Sequence, residues 1–168
     1  EEITTTIGKL RNVFTDFKGI QADEAFLRIG NALNTLGAAG AATAPVISDF
    51  ATRIAGQLGQ FGFKSGEILG VSAALQELGT SAERGASGFN RVINEIATAP
   101  DAFSKRLQIT GEVVSKFTKG EFNNFKDLVN NDLYKAFTLV LEQLDSLNLS
   151  TTAFSGVLKD LKINGQGE

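Results

Sequence analysis

The sequence predicts an all-α fold: a multi-helix bundle of about eight to ten short-to-medium helices, joined by short turns, with no sheet. Apolar residues recur at intervals of three and four, the helical period, and no segment alternates with period two over a useful length. Glycine, proline and capping residues separate the apolar stripes. Helices of this length are marginal alone in water, so we expect the stripes to pack against one another.

The apolar stripes define the predicted helices in chain order. The first five stripes are Ile3, Ile7, Leu10, Phe14 and Phe17; Ala22, Ala25, Phe26, Ile29, Leu33 and Leu36; Val46, Ile47, Phe50, Ile54, Leu58 and Phe61; Ile68, Leu69, Leu75 and Leu78; and Phe89, Val92, Ile93 and Ile96. The others are Phe103 and Leu107; Val113, Val114 and Phe117; Phe122, Phe125, Leu128 and Val129; Leu133, Phe137, Val140, Leu141 and Leu144; and Phe154, Val157, Leu158 and Leu161. We interpret the 13 phenylalanines as core residues, not as platforms for stacking nucleobases.

Residues with the chemistry of helix starts and stops lie between the stripes. Thr80 with Glu83, and Thr118 with Glu121, have the spacing of a capping box, in which hydroxyl and carboxylate each satisfy a backbone N–H. The other signals are N-caps at Ser65, Asp101 and Thr151, stops at Gly19, Gly62, Gly79 and Gly111, a helix start near Pro45 and a helix end at Pro100. This punctuation predicts a bundle and argues against one continuous rod.

The stretch from Leu36 to Pro45 has the weakest pattern, because it holds only small residues after Leu36. We interpret it as a flexible joint; the alternative is a small-faced helix that continues as far as Gly40.

Glycine is frequent, with 18 residues in the chain. Those inside predicted helices are Gly30, Gly56, Gly59, Gly66, Gly70, Gly85 and Gly88. The pairs Gly56–Gly59 and Gly66–Gly70 suggest faces where helix backbones approach closely. Either tight packing within the chain or a self-association face accounts for them; the third interpretation is that they are tolerated glycines without such a role.

The 168 residues suffice for one domain or two small ones. We expect an N-terminal helical part, residues 1–109, and a C-terminal helical part, residues 110–168, packed on the first. The chain begins at Glu1 and contains no methionine, from which we expect a piece of a longer protein.

The composition narrows the chemistry that the chain can carry. It has no cysteine and no histidine, which excludes disulfides, thiolate and imidazole metal sites, and nucleophile–histidine catalysis. Carboxylate pairs remain: Asp23–Glu24, Glu1–Glu2, Glu142 with Asp145, and Asp127 with Asp132. We interpret them as solvated faces or caps. We therefore predict no catalytic, cofactor-binding or metal-binding residues, no cofactor and no enzymatic activity.

The net charge of −3 is spread without a basic cluster, so we expect no specific binding of nucleic acid. No apolar run approaches the roughly 20 residues that span a bilayer.

Six segments, taken in order, resemble the core region of phage tail tape-measure proteins. They are residues 29–36 (IGNALNTL), 44–56 (APVISDFATRIAG), 61–68 (FGFKSGEI), 73–85 (AALQELGTSAERG), 122–144, where Asn131 and Asp132 open a helix before Ala136 and Phe137, and 158–165 (LKDLKING). The resemblance covers roughly residues 22–165 and rests on the order of the segments, since each alone is a common Ala/Gly/Leu pattern.

This resemblance implies a structural role in the tail of a phage or prophage. The parent chain would occupy the tail lumen, set tail length while the tube polymerises, and leave ahead of the DNA at ejection. The implied partners are the tail tube protein, tail assembly chaperones and other copies of the chain. The implied location is the virion tail, assembled in the bacterial host cytoplasm, and membrane contact is expected only of the parent during ejection.

Two other functions compete with this one. The first is a membrane-active module of the same parent that helps to form a conduit for genome entry; charged residues interrupt every stripe, which argues against it. The second is a peptidoglycan-cleaving enzyme, which the missing histidine and tryptophan and the single Tyr134 disfavour.

Overall fold

Helices provide all the regular secondary structure in residues 2–79, 81–109 and 125–146, which are the residues that the computed structural model describes. The α-helices are α1 (Glu2–Val13), α2 (Ala22–Ala39), α3 (Ala44–Gln60), α4 (Ser65–Glu77), α5 (Ala82–Thr98), α6 (Pro100–Ile109), α7 (Phe125–Asn131) and α8 (Leu133–Ser146). A short 3-10 helix, η1 (Thr15–Phe17), follows α1. The predicted all-α fold is confirmed.

The chain forms two compact units, unit 1 (Glu1–Asn90) and unit 2 (Arg91–Glu168), and the division falls inside α5. The parts 1–109 and 110–168 expected from the sequence stay a prediction.

Helix α3 is the centre of unit 1, because it packs against α1, α2 and α4. Its residues Ile47, Phe50, Ile54 and Leu58 are fully buried, as their helical spacing predicts. The buried hydroxyl of Ser48 donates to the carbonyl oxygen of Pro45 at 2.8 Å, so it carries no unsatisfied polar group into the core. The apolar stripes of α1, α2 and α4 thus share one partner.

The segment after α1 contains η1, which packs against α1 and α4. Phe14 and Phe17 are buried, with ring centroids 5.9 Å apart. Gly19 follows with φ +84°, a left-handed conformation that glycine adopts without a Cβ clash. The predicted stop at Gly19 is therefore confirmed, and it ends a 3-10 turn as well as the stripe.

The predicted stops at Gly62 and Gly79 are also confirmed, with φ values of +83° and +72°. After α3, the N–H of Phe63 donates to the carbonyl oxygen of Leu58 at 3.1 Å, and that of Gly62 to Gly59 at 3.2 Å. This is the hydrogen-bond pattern of a Schellman cap, which buries Phe63 completely. Gly111 lies outside the described residues.

Two predicted N-caps are wrong, the one at Ser65 by one residue and the one at Asp101 by two. Helix α4 has Lys64 as its N-cap, so Ser65 is its first helical residue, and Glu67 accepts the Lys64 N–H at 2.8 Å. Helix α6 begins at Pro100, which places Asp101 in its first turn. Proline at a first helical position has no N–H to leave unpaired, so Pro100 starts a helix directly after α5 ends at Thr98. Thr80, Thr118, Glu121 and Thr151 lie outside the described residues.

The flexible joint predicted between Leu36 and Pro45 is wrong, and the alternative of a helix up to Gly40 is confirmed. Helix α2 continues to Ala39, and the Gly40 N–H donates to the Leu36 carbonyl oxygen at 3.2 Å. A Cβ on Gly37 would lie 3.3 Å from the backbone nitrogen of Ala44. The small residues thus allow the end of α2 to approach the start of α3 closely.

Unit 2 buries apolar side chains from the end of α5 and from α6, α7 and α8. These residues are Ile93, Ile96, Phe103, Phe125, Val129, Leu133, Ala136, Phe137 and Val140. Phe103 and Phe125 stack with ring centroids 6.2 Å apart and an interplanar angle of 19°. Asp132 caps α8 by accepting the Lys135 N–H at 2.9 Å, which confirms the helix start expected at Asn131–Asp132.

Among the described residues, three large side chains of the predicted stripes are exposed. Val46 is 41% exposed in the first turn of α3, Leu78 is 77% exposed just after α4, and Leu141 is 48% exposed beside the buried Val140. Val46 and Leu78 sit where a helix begins or ends, and Leu141 sits at the edge of its stripe. The stripes around Val113 and Phe154, and Phe122, lie outside the described residues.

Candidate functional site

Three of the four carboxylate pairs singled out in the sequence are exposed to solvent. Asp23 and Glu24 occupy the first turn of α2, where negative charge complements the helix dipole, and Glu24 pairs with Arg28 one turn later. Glu1 is outside the described residues, and so is the side chain of Glu2. The Asp23–Glu24 pair therefore has a local structural role.

The two pairs near the C-terminus are exposed as well. Asp132 is engaged as the cap of α8, and Asp127 lies in the first turn of α7. Glu142 and Asp145 are exposed on α8. Within residues 2–79, 81–109 and 125–146, no three acidic, histidine or cysteine residues form a group that could hold a metal ion.

A pocket of about 210 Å³ lies among the described residues of unit 1. It lies where η1 and the first halves of α2 and α4 meet, and Asp16, Phe17, Arg28, Ile29, Ala32, Ser65, Gly66 and Leu69 line it. Phe17, Ile29 and Leu69 are buried and give the pocket an apolar floor. Asp16, Arg28 and Ser65 supply its polar groups.

Asp16 holds the start of α4 from a position 49 residues earlier in the chain. Its Oδ1 accepts the backbone N–H of Ser65 at 3.0 Å, and its Oδ2 accepts the Ser65 hydroxyl at 2.6 Å. A carboxylate at this place satisfies a backbone N–H that has no partner inside the helix, and it also complements the helix dipole. The start of α4 is thus capped by the carboxylate of η1.

A serine hydroxyl beside a carboxylate is also the beginning of a nucleophile and base arrangement. Here the base already accepts a backbone N–H, and the only cation lining the pocket, Arg28, pairs with Glu24. The polar groups of the pocket are therefore engaged with one another. We interpret the pocket as a structural joint between η1, α2 and α4.

Sequence reasoning missed both polar contacts that pin the segment after α1. Arg11 donates from Nη2 to the carbonyl oxygen of Ile20 at 3.0 Å, and Asp16 caps α4. The cap joins residues 49 positions apart, and no local sequence signal marks such a pair. The one available hint was an aspartate between Phe14 and Phe17, inside the first apolar stripe.

The glycine pairs proposed as close-approach faces behave differently from each other. Gly59 is buried, and a Cβ there would lie 3.2 Å from the backbone oxygen of Val13, so α3 and the end of α1 approach closely at this residue. A Cβ on Gly56, Gly66 or Gly70 would meet nothing within 4 Å. Tight internal packing therefore explains Gly59, and a self-association face at the other three stays a prediction.

Large apolar side chains are exposed singly at Leu27, Val46, Leu78 and Leu141. Scattered exposed residues of this kind are ordinary on globular surfaces. In the part of the chain that the structure describes, no helix is long and apolar enough to cross a membrane.

Comparison with known families complements this geometry. Residues 1–162 match the family model described as phage-related minor tail protein. No curated protein and no solved structure matches the chain.

Proposed function

The chain belongs to the family of phage-related minor tail proteins and has a structural role in the phage tail, and from this premise we propose that it is part of a tape-measure protein. In this proposal the parent chain occupies the lumen of the tail, sets tail length while tube subunits polymerise, and leaves ahead of the DNA. The observation that supports the proposal is the family match over residues 1–162. The regular secondary structure of the described residues, which is helical, is compatible with it.

Helical structure suits a measuring role because each α-helical residue adds a fixed 1.5 Å. The partners in this proposal are the tail tube protein, tail assembly chaperones and other copies of the chain. Assembly takes place in the host cytoplasm, whether the genome is that of a free phage or a prophage. The exposed surfaces of α2, α3 and α4 carry mixed charges and polar side chains, which are compatible with contacts to other proteins.

The proposal includes no catalytic role and no specific recognition of nucleic acid. The engaged polar groups at Asp16 and Ser65, the exposed carboxylate pairs and the net charge of −3 support this part. Any enzymatic or membrane activity of the parent would then reside in other parts of the longer chain, including the conduit function considered above.

Tail length in the encoding phage tests the proposal directly. An in-frame duplication of residues 1–162 in the parent should lengthen the tail, by about 240 Å if every residue counts as extended helix. A smaller, reproducible increment would mean that the block is measured in its compact form. Electron micrographs of negatively stained tails provide the measurement.

The matched control is a duplication of equal length in a different tail protein, which should leave tail length unchanged. Unchanged length after duplication of residues 1–162, in tails that assemble and contain the altered chain, would refute the measuring role. Leakage of dye from liposomes treated with the chain would instead favour the membrane-active function.

A further inference from the structure

Each of the helices α1 to α5 carries a glycine that lies about one turn or more from both helix ends: Gly8, Gly30, Gly56, Gly70 and Gly88. Glycine in a helix interior lowers the equilibrium constant for folding about two- to fivefold relative to alanine. Five such positions in 90 residues therefore need a reason.

The usual structural reasons for glycine are missing at these five positions. A Cβ built on any of them meets nothing within 4 Å, so close packing does not require the absence of a side chain. Positive φ values occur at Gly19, Gly62 and Gly79, and none of the five has one. Alanine would therefore fit the described structure at all five positions.

The distribution of these glycines also matters. They are spread over five helices, and their exposure differs: Gly56 and Gly88 are exposed, whereas Gly8, Gly30 and Gly70 are half-buried. The helices α6, α7 and α8 contain no glycine. Glycines that form one contact surface would share the same exposure, and these do not. A lowered stability of each of the helices α1 to α5 explains their distribution more directly.

We propose that these five glycines keep the helices of unit 1 weak, so that the unit opens at low cost while its core holds it folded at rest. The proposal rests on the proposed function in one respect: a chain that leaves lengthwise through a tube must lose its compact packing. Unit 1 would then be a compact folded segment that unfolds and extends under a small force or after local unfolding.

The first test measures the stability of the chain itself. Changing all five glycines to alanine should raise the folding equilibrium constant of unit 1 by about two orders of magnitude in urea unfolding. Amide hydrogen exchange in α1 to α5 should slow accordingly. No gain, or a loss, would overturn the proposal, and the single variants Gly56→Ala and Gly70→Ala keep the test valid if the fivefold variant aggregates.

Gly59→Ala is the matched control, because it makes the same chemical change at a position where the backbone of Val13 crowds the added Cβ. Its Cβ would lie 3.2 Å from the Val13 oxygen and 3.4 Å from Cγ2 of Thr15. It should lower the equilibrium constant, whereas Gly56→Ala, one helical turn earlier, should raise it. Equal effects at the two positions would mean that the described geometry does not govern the response.

The second test asks whether the phage uses the low stability. With the five substitutions in the parent protein, tails should assemble at normal length while delivery of DNA into host cells falls at least about tenfold. Adding Ile47→Val and Ile54→Val, which remove buried methyl groups from α3, should lower stability again and restore delivery. Unchanged delivery in the stabilised phage would overturn the proposal.

The substitutions Ile47→Val and Ile54→Val distinguish an effect of fold stability from an effect of a surface contact made by the glycines. If the glycines serve instead as a contact face for another copy, delivery or assembly will stay impaired after the core is weakened, and the proposal fails. The proposed function fails on a different readout, when the duplication of residues 1–162 leaves tail length unchanged whatever the urea measurements show.

Discussion

Unit 1 and the helices α6 to α8 of unit 2 reach a buried core by different means. In unit 1, Gly59 and Asp16 join segments that lie far apart in the sequence, and every helix contains a glycine. In α6 to α8, large side chains fill the core, and the cap of α8 comes from the adjacent Asp132. Large buried side chains fill both cores, and unit 1 differs in adding a close backbone approach at Gly59 and a helix cap from a remote residue.

This difference implies distinct weak points in the two regions. Weak helices depend on tertiary contacts for their stability, since a short isolated helix is marginal even with good residues. A change that loosens α3 should therefore be felt in α1, α2 and α4 together, because α3 packs against all three. Changes in α7 and α8 should have narrower effects.

The largest expected effect follows from removal of a buried aromatic ring. Phe50→Ala, in the fully buried centre of α3, should lower the free energy of unfolding by about 3–5 kcal/mol through lost apolar burial and a cavity. Amide exchange should accelerate across α1 to α4. Phe125→Ala, at a site only 1% exposed, should cost a similar amount but accelerate exchange mainly in α6 to α8.

Leu27→Ala is the control for the aromatic variants, because Leu27 is 67% exposed and its loss should change stability by less than about 0.5 kcal/mol. If Phe50→Ala accelerated exchange in α3 alone, the central role of α3 would be refuted.

The next largest effect concerns the turn between α3 and α4. Gly62→Ala should cost about 1–2 kcal/mol, because an L side chain at φ +83° brings its Cβ close to the following carbonyl oxygen. Gly62→Asn should cost less, since asparagine adopts this conformation more readily than alanine. Urea unfolding measures both, and equal costs for alanine and asparagine would contradict the backbone explanation.

The sequence predicted local features well and long-range ones poorly, for a physical reason. Helical periodicity and the left-handed glycines at positions 19, 62 and 79 are encoded within a few residues. The joint at Leu36–Pro45 was misjudged because small residues look irregular, whereas Gly37 is there for the approach of Ala44. The Asp16 cap was missed because its partner lies 49 residues away and only the packing of η1 against α4 brings them together.

Capping variants compare the remote cap with the local one. Asp16→Ala should cost about 1 kcal/mol through the unpaired N–H of Ser65, and Asp132→Ala should cost a similar amount at the Lys135 N–H. The two variants should accelerate amide exchange in different segments: Asp16→Ala in η1 and the first turn of α4, and Asp132→Ala in the first turn of α8.

Ser65→Ala keeps the hydrogen bond from the backbone N–H, so it should lower the free energy of unfolding by less than Asp16→Ala. A larger cost for Ser65→Ala would mean that the hydroxyl, not the helix start, is the principal partner.

The smallest effects are expected at the exposed ion pairs, which make the finest comparison of local and non-local contacts. Arg28 and Glu24 are one turn apart on α2, whereas Lys126 and Asp101 join α7 to α6 at 3.2 Å across 25 residues. All four side chains are more than half exposed, so solvent screens both pairs and each should contribute less than about 1 kcal/mol.

Double-mutant cycles isolate the two pair energies, with Arg28→Ala or Lys126→Ala combined with removal of its acidic partner. Raising the salt concentration from low to about 1 M, where the screening length falls to about 3 Å, should reduce both coupling energies toward zero. The local pair should retain a few tenths of a kcal/mol at low salt, because the helix already holds its side chains one turn apart. If the Lys126–Asp101 coupling exceeded that of Arg28–Glu24 and resisted salt, the α6–α7 contact would depend on charge as well as on the stacked Phe103 and Phe125, and the contrast between the two regions would narrow.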